Sequence, residues 1–334
     1  MSANAEDGRA SGRPVALVTA PFRGEGLATL ESVAEVVLDP WIDHSPLRLY
    51  DADALAARIE EEGATLVLCE ADRCAGPVFD LPLVAVGSAR GDPTNVDVEG
   101  ATAKGIPVLR APGRNADGVA ELAVALLLAV TRRVVPADAD VRAGEVFRDG
   151  SIPYQRFRGW ELNGRTAGIV GYGAIGRALA WRLSGLGMKV ISSDPYSPEA
   201  THKLDDLLAE ADVVSMHAPV TPDTAGMMGS EQFARMKDGA IYLNAARAAL
   251  HDTDALVAAL QSGHLSGAGL DHFEGERIDA DHPLTQLPNV VLTPHIGGAS
   301  YDTEANHARM MGDGIAAVLS GQRPAHCVNP EVLD

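Results

Sequence analysis

Three short segments of the sequence carry a side chain that can bind an anion or move a proton. Arg247 closes "YLNAAR", Glu276 closes "GAGLDHFEGE", and His295 closes "VVLTPH". An arginine can hold a carboxylate through two parallel hydrogen bonds, and a histidine beside a carboxylate keeps a transferable proton near neutral pH. Together the three residues predict acid–base chemistry on a small carboxylic acid.

Each of these residues also permits a structural interpretation on its own. Arg247 could cap a helix or pair with Asp252, and Glu276 could be a solvated charge in the acidic segment "EGERIDAD". His295 follows Pro294 and could simply fix a turn. We favour the catalytic interpretation because each of the three segments follows a predicted strand, and strand ends of a doubly wound sheet face the ligand crevice.

A glycine motif, "GYGAIG", lies between a predicted strand and a predicted helix. In the pattern GxGxxG, Gly171 permits a tight turn, Gly173 lets the backbone approach a pyrophosphate, and Gly176 lets the helix pack closely. The phosphates would lie on the amides of Ala174 and Ile175, at the positive end of the helix. Alone, the motif also marks simple strand-to-helix turns, so its context decides.

Asp194 ends the next predicted strand and supplies that context. A carboxylate at this place accepts hydrogen bonds from the adenosine ribose hydroxyls and repels a 2′-phosphate. The following "PYSP" contains no arginine that could hold such a phosphate. The sequence therefore predicts a dinucleotide site with NAD, rather than NADP, as the cofactor.

Strands and helices alternate along the chain, which is typical of parallel α/β layers. Strands are predicted at 15–19, 64–70, 83–91, 167–171, 189–193, 212–217, 240–244, 267–270 and 289–293. A helix that is apolar on nearly all sides is predicted over 114–135, either buried or at an interface, and a loop-rich region over 136–166. The last helix is predicted over about 300–319.

The glycine motif lies in the middle of the chain, and the last helix follows the final predicted strand. At 334 residues the chain is long for one core. We therefore predict an α/β protein in which a Rossmann-like dinucleotide-binding domain (112–299) is inserted into a flavodoxin-like substrate domain (1–111 with 300–334). The site would lie in the cleft between these two doubly wound domains.

Composition excludes several classes of partner. A net charge of -19 argues against binding to nucleic acid or an anionic membrane. Three cysteines without zinc spacing predict neither a metal site nor a disulfide framework. The longest apolar run is too short to cross a bilayer, and the first dozen residues form a polar tail without a signal core. We expect a cytoplasmic protein that acts on small molecules.

From about residue 83 to 320 the sequence resembles the D-isomer-specific 2-hydroxyacid dehydrogenases. "VDVEGATAKGIPVLRAPGRNADGVAELAVALLLAVTRR", "ADVVSMHAPVTPDTAGMM" and "LPNVVLTPHIGGAS" resemble family blocks in order and spacing, as the glycine stretch does. The resemblance implies an NAD-dependent oxidoreductase that moves a hydride between nicotinamide and C2 of a D-2-hydroxy acid or 2-keto acid, with or without a phosphate or phosphonate. It also implies a homodimer joined through 114–135.

The resemblance further implies roles for individual residues. The family's catalytic arginine, glutamate and histidine correspond to Arg247, Glu276 and His295. The implied cofactor-binding residues are Gly171, Gly173, Ala174, Ile175, Gly176, Asp194, Ala218, Pro219, Thr224, Ala245, Asp271, Gly297 and Gly298. The implied substrate-binding residues are Arg247 and a first-domain loop of Ala89, Arg90, Gly91 and Asp92, whose amides would hold the substrate carboxylate.

Some positions depart from the family pattern. His272 stands where a small or aliphatic residue is usual and adds a second imidazole near the predicted site, and Arg277 replaces the usual proline. The third strand ends in "CE" where phosphoglycerate dehydrogenases often have Arg-Ser, so that activity is not our first choice. Arg90 could meet a phosphate, a phosphonate or a second carboxylate, or could pair with Asp92.

A second class of function is open. Corepressors are built on the same fold and keep the three residues, so an NAD(H)-sensing corepressor-like binding protein is the alternative to an enzyme. Such a protein needs extra peptide-binding surface and usually a long disordered tail, whereas this sequence shows only a short polar one. We therefore favour the enzyme. The sequence does not specify which 2-hydroxy acid it uses.

Overall fold

The computed structural model describes residues 12–334, so the predicted polar tail lies almost wholly outside the described residues. The chain divides into two compact units. The first contains the described residues up to Arg114 together with Tyr301–Asp334, and the second is Asn115–Ser300. A substrate-binding role for the first unit stays a prediction.

The strands and helices of the two units alternate along the chain. The strands are β1 Val15–Val18, β2 Glu35–Leu38, β3 Leu66–Cys69, β4 Ala85–Ser88, β5 Val108–Leu109, β6 Thr166–Val170, β7 Lys189–Ser193, β8 Val213–Met216, β9 Ala240–Asn244, β10 Leu265–Leu270 and β11 Val290–Leu292. The α-helices are α1 Glu25–Val33, α2 Ala52–Glu62, α3 Val98–Ala103, α4 Ala116–Thr131, α5 Val134–Arg142, α6 Pro153–Arg156, α7 Ala174–Gly185, α8 Leu204–Glu210, α9 Ser230–Arg235, α10 Thr253–Gln261, α11 Pro283–Gln286 and α12 Tyr301–Leu319.

The first unit contains a parallel sheet with the strand order β2-β1-β3-β4-β5, which is the flavodoxin-like order. β2 and β5 were not among the predicted strands. β2 lies at the sheet edge and none of its residues is fully buried, and β5 has only two residues. Neither segment is long or apolar enough to show a strand pattern in the sequence.

The second unit contains a parallel sheet with the order β11-β10-β9-β8-β6-β7. The order of the strands reverses between β6 and β8. The chain places β7 on one side of β6 and then adds β8 to β11, in turn, on the other side. In open α/β sheets, ligands bind at the carboxyl ends of the strands beside such a reversal. The glycine motif follows β6 and therefore lies at this point. The prediction of two doubly wound α/β domains is confirmed.

The helix predicted over 114–135 is wrong in its extent. α4 ends at Thr131, Arg133 adopts a left-handed φ of 55°, and α5 begins at Val134. Pro136 accounts for the break, because in a continuous helix its ring would clash with the carbonyl of residue 132 and its missing N–H would leave that carbonyl without a donor. α5 also lies partly in the region predicted to be loop-rich.

One face of α4 is buried within the second unit, where the helix packs across β10. A Cβ atom on Gly269 would lie 2.9 Å from Leu126 Cβ, and one on Gly267 would lie 2.6 Å from Val130 Cγ1. The glycines of "GAG" in β10 therefore allow the helix to lie close to the sheet. This close packing supports the strand that leads into the candidate site.

None of the helices within residues 12–334 combines the length and the apolar character that a membrane span requires. The cytoplasmic location stays a prediction.

The approach of α1 to α12 generates a test of packing in the first unit. A Cβ atom on Gly26 would lie 2.0 Å from the carbonyl carbon of Ala308. Gly26→Ala should therefore destabilise this unit by about 1–3 kcal/mol or more, since backbone atoms must move to make room.

Gly185→Ala is the matched control, because no atom lies within 4 Å of a Cβ placed there at the end of α7. It should be neutral or slightly stabilising, by up to about 1 kcal/mol. Thermal unfolding followed by circular dichroism measures both effects. Equal melting temperatures for the two variants would contradict this account of the helix contact.

Candidate active site

His295 and Glu276 form the centre of the candidate site. His295 Nδ1 lies 2.9 Å from Glu276 Oε1, which is the distance of a hydrogen bond from an imidazole N–H to a carboxylate. The side chains are 44% and 55% exposed, so both are open to a ligand. A ring that carries a proton, oriented by a carboxylate, is the arrangement that general acid–base catalysis requires.

A tight turn after β11 holds His295 in place. His295 itself has a left-handed φ of 55°, and its N–H donates to the carbonyl of Asp271 at 2.9 Å. The fully buried carboxylate of Asp271 accepts hydrogen bonds from the amides of Ile296 and Gly297 at 2.9 and 2.8 Å, and from the Thr293 hydroxyl at 2.7 Å. These contacts offset the left-handed conformation, which costs about 1–3 kcal/mol.

The turn contacts give Asp271 a positioning role that sequence reasoning did not predict. Its contact with the cofactor stays a prediction. Asn244, at the end of β9, is a second positioning residue and is also buried. Its side-chain amide donates to the Arg247 carbonyl at 2.8 Å, and its side-chain oxygen accepts from the Ala246 amide at 3.0 Å. The only signal in the sequence was a polar residue at the end of each apolar strand.

Arg247 is exposed in the turn that Asn244 holds, and it pairs with no carboxylate within residues 12–334. Arg247 does not form the alternative ion pair with Asp252. The carboxylate of Asp252 instead caps the N-terminus of α10 by accepting a hydrogen bond from the amide of Ala255. The guanidinium of Arg247 acts electrostatically on the ring of His272, which places the positive charge close to the site. Arg247 can therefore bind a ligand carboxylate.

His272 packs against His295, with ring centroids 3.8 Å apart and ring planes tilted by 53°. Burial lowers the pKa of His272 to about 4, and the neighbouring His295 and Arg247 also disfavour its protonation. The ring is therefore neutral at pH 7. Because His272 is buried and uncharged while His295 is exposed beside a carboxylate, His295 is the better proton carrier of the two.

The glycine motif has the shape that a pyrophosphate requires. A Cβ atom on Gly171, whose φ is 93°, would lie 2.4 Å from a backbone nitrogen of the loop after β8. One on Gly176 would lie 2.2 Å from the Gly171 carbonyl oxygen, whereas a Cβ atom on Gly173 would meet nothing within 4 Å. The open backbone at Gly173 precedes the N-terminus of α7 at Ala174 and Ile175. These residues fit a dinucleotide.

Asp194 lies beside the glycine loop at the end of β7. Its carboxylate accepts hydrogen bonds from the backbone amides of Tyr172 and Tyr196 at 2.8 and 2.9 Å. Arg177 of α7 also lies near this loop, but it pairs with Glu199 at 3.1 Å. Sequence reasoning did not consider Arg177. These contacts fix the Asp194 carboxylate beside the glycine loop, and its contact with a ribose stays a prediction.

The other predicted cofactor contacts lie in loops after strands of the second unit. Ala218, Pro219 and Thr224 follow β8, Ala245 follows β9, and Gly297 and Gly298 follow β11. Thr224 Oγ1 donates to the carbonyl of Pro219 at 2.6 Å and so closes the loop after β8. Their contacts with the cofactor stay predictions.

The predicted substrate loop lies in the first unit, after β4. The Ala89 amide donates to the Cys69 carbonyl at 2.8 Å, so Ala89 has no free N–H for a substrate. Within the described chain, the amides of 90–92 make no backbone hydrogen bond. Arg90 donates to Thr94 Oγ1 at 3.0 Å and does not pair with the nearby aspartate. A substrate role for this loop stays a prediction.

The family model of the D-isomer specific 2-hydroxyacid dehydrogenase, NAD binding domain, matches residues 124–297, more than half of the chain. The chain belongs to this family. A glyoxylate reductase from Thermococcus litoralis is 37% identical, with 96% of this chain and 98% of that protein covered. A D-3-phosphoglycerate dehydrogenase from Methanocaldococcus jannaschii is 35% identical, with 94% of this chain and 59% of that protein covered. The TT0316 protein from Thermus thermophilus, whose crystal structure matches with a TM-score of 0.79, is 39% identical in sequence. The match covers 94% of this chain and 99% of that chain.

Membership of the D-isomer specific 2-hydroxyacid dehydrogenases confirms the predicted family, the enzyme class and the cofactor, NAD. The chain is an NAD-dependent oxidoreductase. The alternative of a corepressor-like binding protein receives no support from these similarities. The roles of individual site residues stay predictions.

Asp194 generates a test of cofactor choice in this dehydrogenase. Asp194→Ala should lower the ratio of kcat/KM for NADH to that for NADPH by about 10- to 100-fold, because hydrogen bonds to a charged group contribute about 1.5–3 kcal/mol. Steady-state kinetics with both cofactors measures the ratio. Asp238→Ala, which removes a 92% exposed carboxylate of the same unit, should leave the ratio unchanged. An unchanged ratio in Asp194→Ala would refute the assignment.

Proposed function

We propose that the enzyme interconverts a small 2-keto acid and its D-2-hydroxy acid, with His295 as the acid–base group and Arg247 as the carboxylate anchor. The observation that carries this proposal is the 2.9 Å contact between His295 and Glu276 on the exposed side of the second unit. Arg247, without a carboxylate partner among the described residues, lies in the neighbouring loop.

In the reducing direction the carbonyl oxygen of the substrate gains negative charge and needs a proton. Nδ1 of His295 faces Glu276, so Nε2 is the ring nitrogen that donates this proton. Glu276 stabilises the doubly protonated ring through its charge and the Nδ1–H hydrogen bond. Arg247 binds the substrate carboxylate and polarises the adjacent carbonyl. NAD(H), when bound, supplies or accepts the hydride.

The substrate we favour is an unphosphorylated 2-keto acid of glyoxylate size. A relative covered along 98% of its length is a glyoxylate reductase. At the end of β3, where phosphate binding would need a free cation, Glu70 instead forms an ion pair with Arg114.

A panel of 2-keto acids tests the substrate class. NADH oxidation should be fastest with glyoxylate or another small unphosphorylated member and slowest with phosphorylated members. His295→Ala should lower kcat by about 10²- to 10⁴-fold, the range of general acid–base catalysis, with little change in NADH binding.

The control for this series is His264→Ala, which removes a part-buried histidine that bonds the Phe233 carbonyl away from the site. It should keep normal turnover. The proposal fails if no 2-keto acid is reduced. The assignment of His295 fails if His272→Ala abolishes turnover while His295→Ala retains it.

We also propose a homodimer, formed by a surface of the second unit that we call the α5 surface. Its exposed large hydrophobic residues are Val134, Val135, Val141, Phe147, Ile152, Tyr154 and Trp160. Large apolar side chains left exposed in one stretch of the chain, from 134 to 160, support a protein interface. Most apolar residues of α4 are buried or partly buried inside the unit. The interface we propose therefore takes in only the end of the predicted 114–135 segment, at Val134 and Val135, and extends beyond it.

Light scattering tests the dimer. The unmutated protein should have twice the mass of one chain, and Phe147→Asp should shift the equilibrium toward one chain, because it places a charge at a side chain that is 75% exposed on the α5 surface. Leu47→Asp, at a 61% exposed site of the first unit, is the control and should stay dimeric. A monomeric unmutated protein would contradict the proposal.

A further inference from the structure

The proposed reaction does not use the imidazole of His272. This ring nevertheless lies beside His295 and Glu276, which the proposed reaction does use. One nitrogen or oxygen atom of each of His272, Glu276 and His295 lies within 4.8 Å of the other two. Two imidazole nitrogens and one carboxylate oxygen are a ligand set that Zn²⁺ prefers. His272 lies four residues before Glu276, which ends a 3-10 turn, and His295 follows only after β11. For this reason no zinc spacing appears in the sequence.

The second observation is the state of His272 Nδ1. The side chain is only 3% exposed, and within the described residues this nitrogen has no hydrogen-bond partner. It faces Glu276 Oε1 from 3.7 Å, which is beyond hydrogen-bond distance. An unsatisfied buried polar atom costs about 1–3 kcal/mol, so a ligand that uses its lone pair removes that cost.

Two of the three spacings between ligand atoms are near those of a tetrahedral zinc site, and all three are within 4.8 Å. Zinc bonds of about 2.0–2.2 Å place neighbouring ligand atoms about 3.3 Å apart in a tetrahedron. The distances from Glu276 Oε1 to His295 Nδ1 and to His272 Nδ1 are 2.9 and 3.7 Å, on either side of that value. Mg²⁺ and Ca²⁺ fit poorly because they take oxygen ligands.

We propose that Zn²⁺ binds to His272, Glu276 and His295, with water as the fourth ligand, and inhibits the enzyme. The bound ion takes the place of the proton on His295 Nδ1. The ring then cannot be doubly protonated, and its remaining Nε2–H is a far weaker acid than that of an imidazolium, because loss of this proton would leave an imidazolate. The inhibition rests on the proposed function, whereas the binding does not.

Direct binding to the intact, metal-free protein is the primary test. Calorimetry should show one Zn²⁺ per chain, and Co²⁺ in its place should give the visible absorption of a tetrahedral complex. His272→Gln should weaken Zn²⁺ binding by at least about tenfold, since even indirect support of a ligand contributes 10- to 100-fold in affinity. His272→Val serves as a second variant in case the first does not fold.

His202→Gln is the matched control, because His202 also lies near a glutamate of the second unit, Glu210, at 3.4 Å. It should bind Zn²⁺ like the unmutated protein. Absence of binding, or equal binding by both His272 variants, overturns the site. If Zn²⁺ binds through His272 while glyoxylate reduction by NADH proceeds undiminished, the site stands, and the inhibition fails together with the role of His295 as acid.

Discussion

The candidate active site depends on one buried carboxylate. Asp271 accepts three hydrogen bonds from the turn after β11, and its carbonyl accepts a fourth from the amide of His295. A buried charge without such donors would be strongly destabilising, so the folded protein requires the turn to stay closed around it. The closed turn keeps His295 in its left-handed conformation and directs its ring toward Glu276.

The order of strands brings the remaining groups to the same edge of the sheet. β9, β10 and β11 are adjacent and parallel, and their carboxyl ends lead to Arg247, to Asp271 and Glu276, and to His295. The glycine loop follows β6, where the winding of the same sheet reverses. The proposed anion anchor, the proposed proton carrier and the predicted dinucleotide loop thus all belong to the carboxyl edge of one sheet.

The sequence predicted those parts of the protein that depend on short-range patterns. The glycine spacing, the acid at the end of β7 and the polar residues after apolar strands are each visible within a few residues. Features that depend on contacts between distant segments were missed. The edge strand β2, the positioning role of Asp271 and the burial of His272 follow from contacts with segments farther along the chain. The break between α4 and α5 was visible at Pro136 but was outweighed by the continuous apolar pattern.

The most direct test of this account is the state of the His295 ring when Asp271 is changed. In protein with ¹⁵N-labelled histidine, assigned through His295→Gln, NMR should show a protected Nδ1–H that is hydrogen-bonded to Glu276. Asp271→Asn keeps the size of the side chain but replaces one acceptor with a donor that faces an N–H of the turn. We predict that the Nδ1–H signal is lost to exchange with water in Asp271→Asn. An unchanged, protected signal in that variant would contradict the claim that Asp271 holds His295 in its catalytic position.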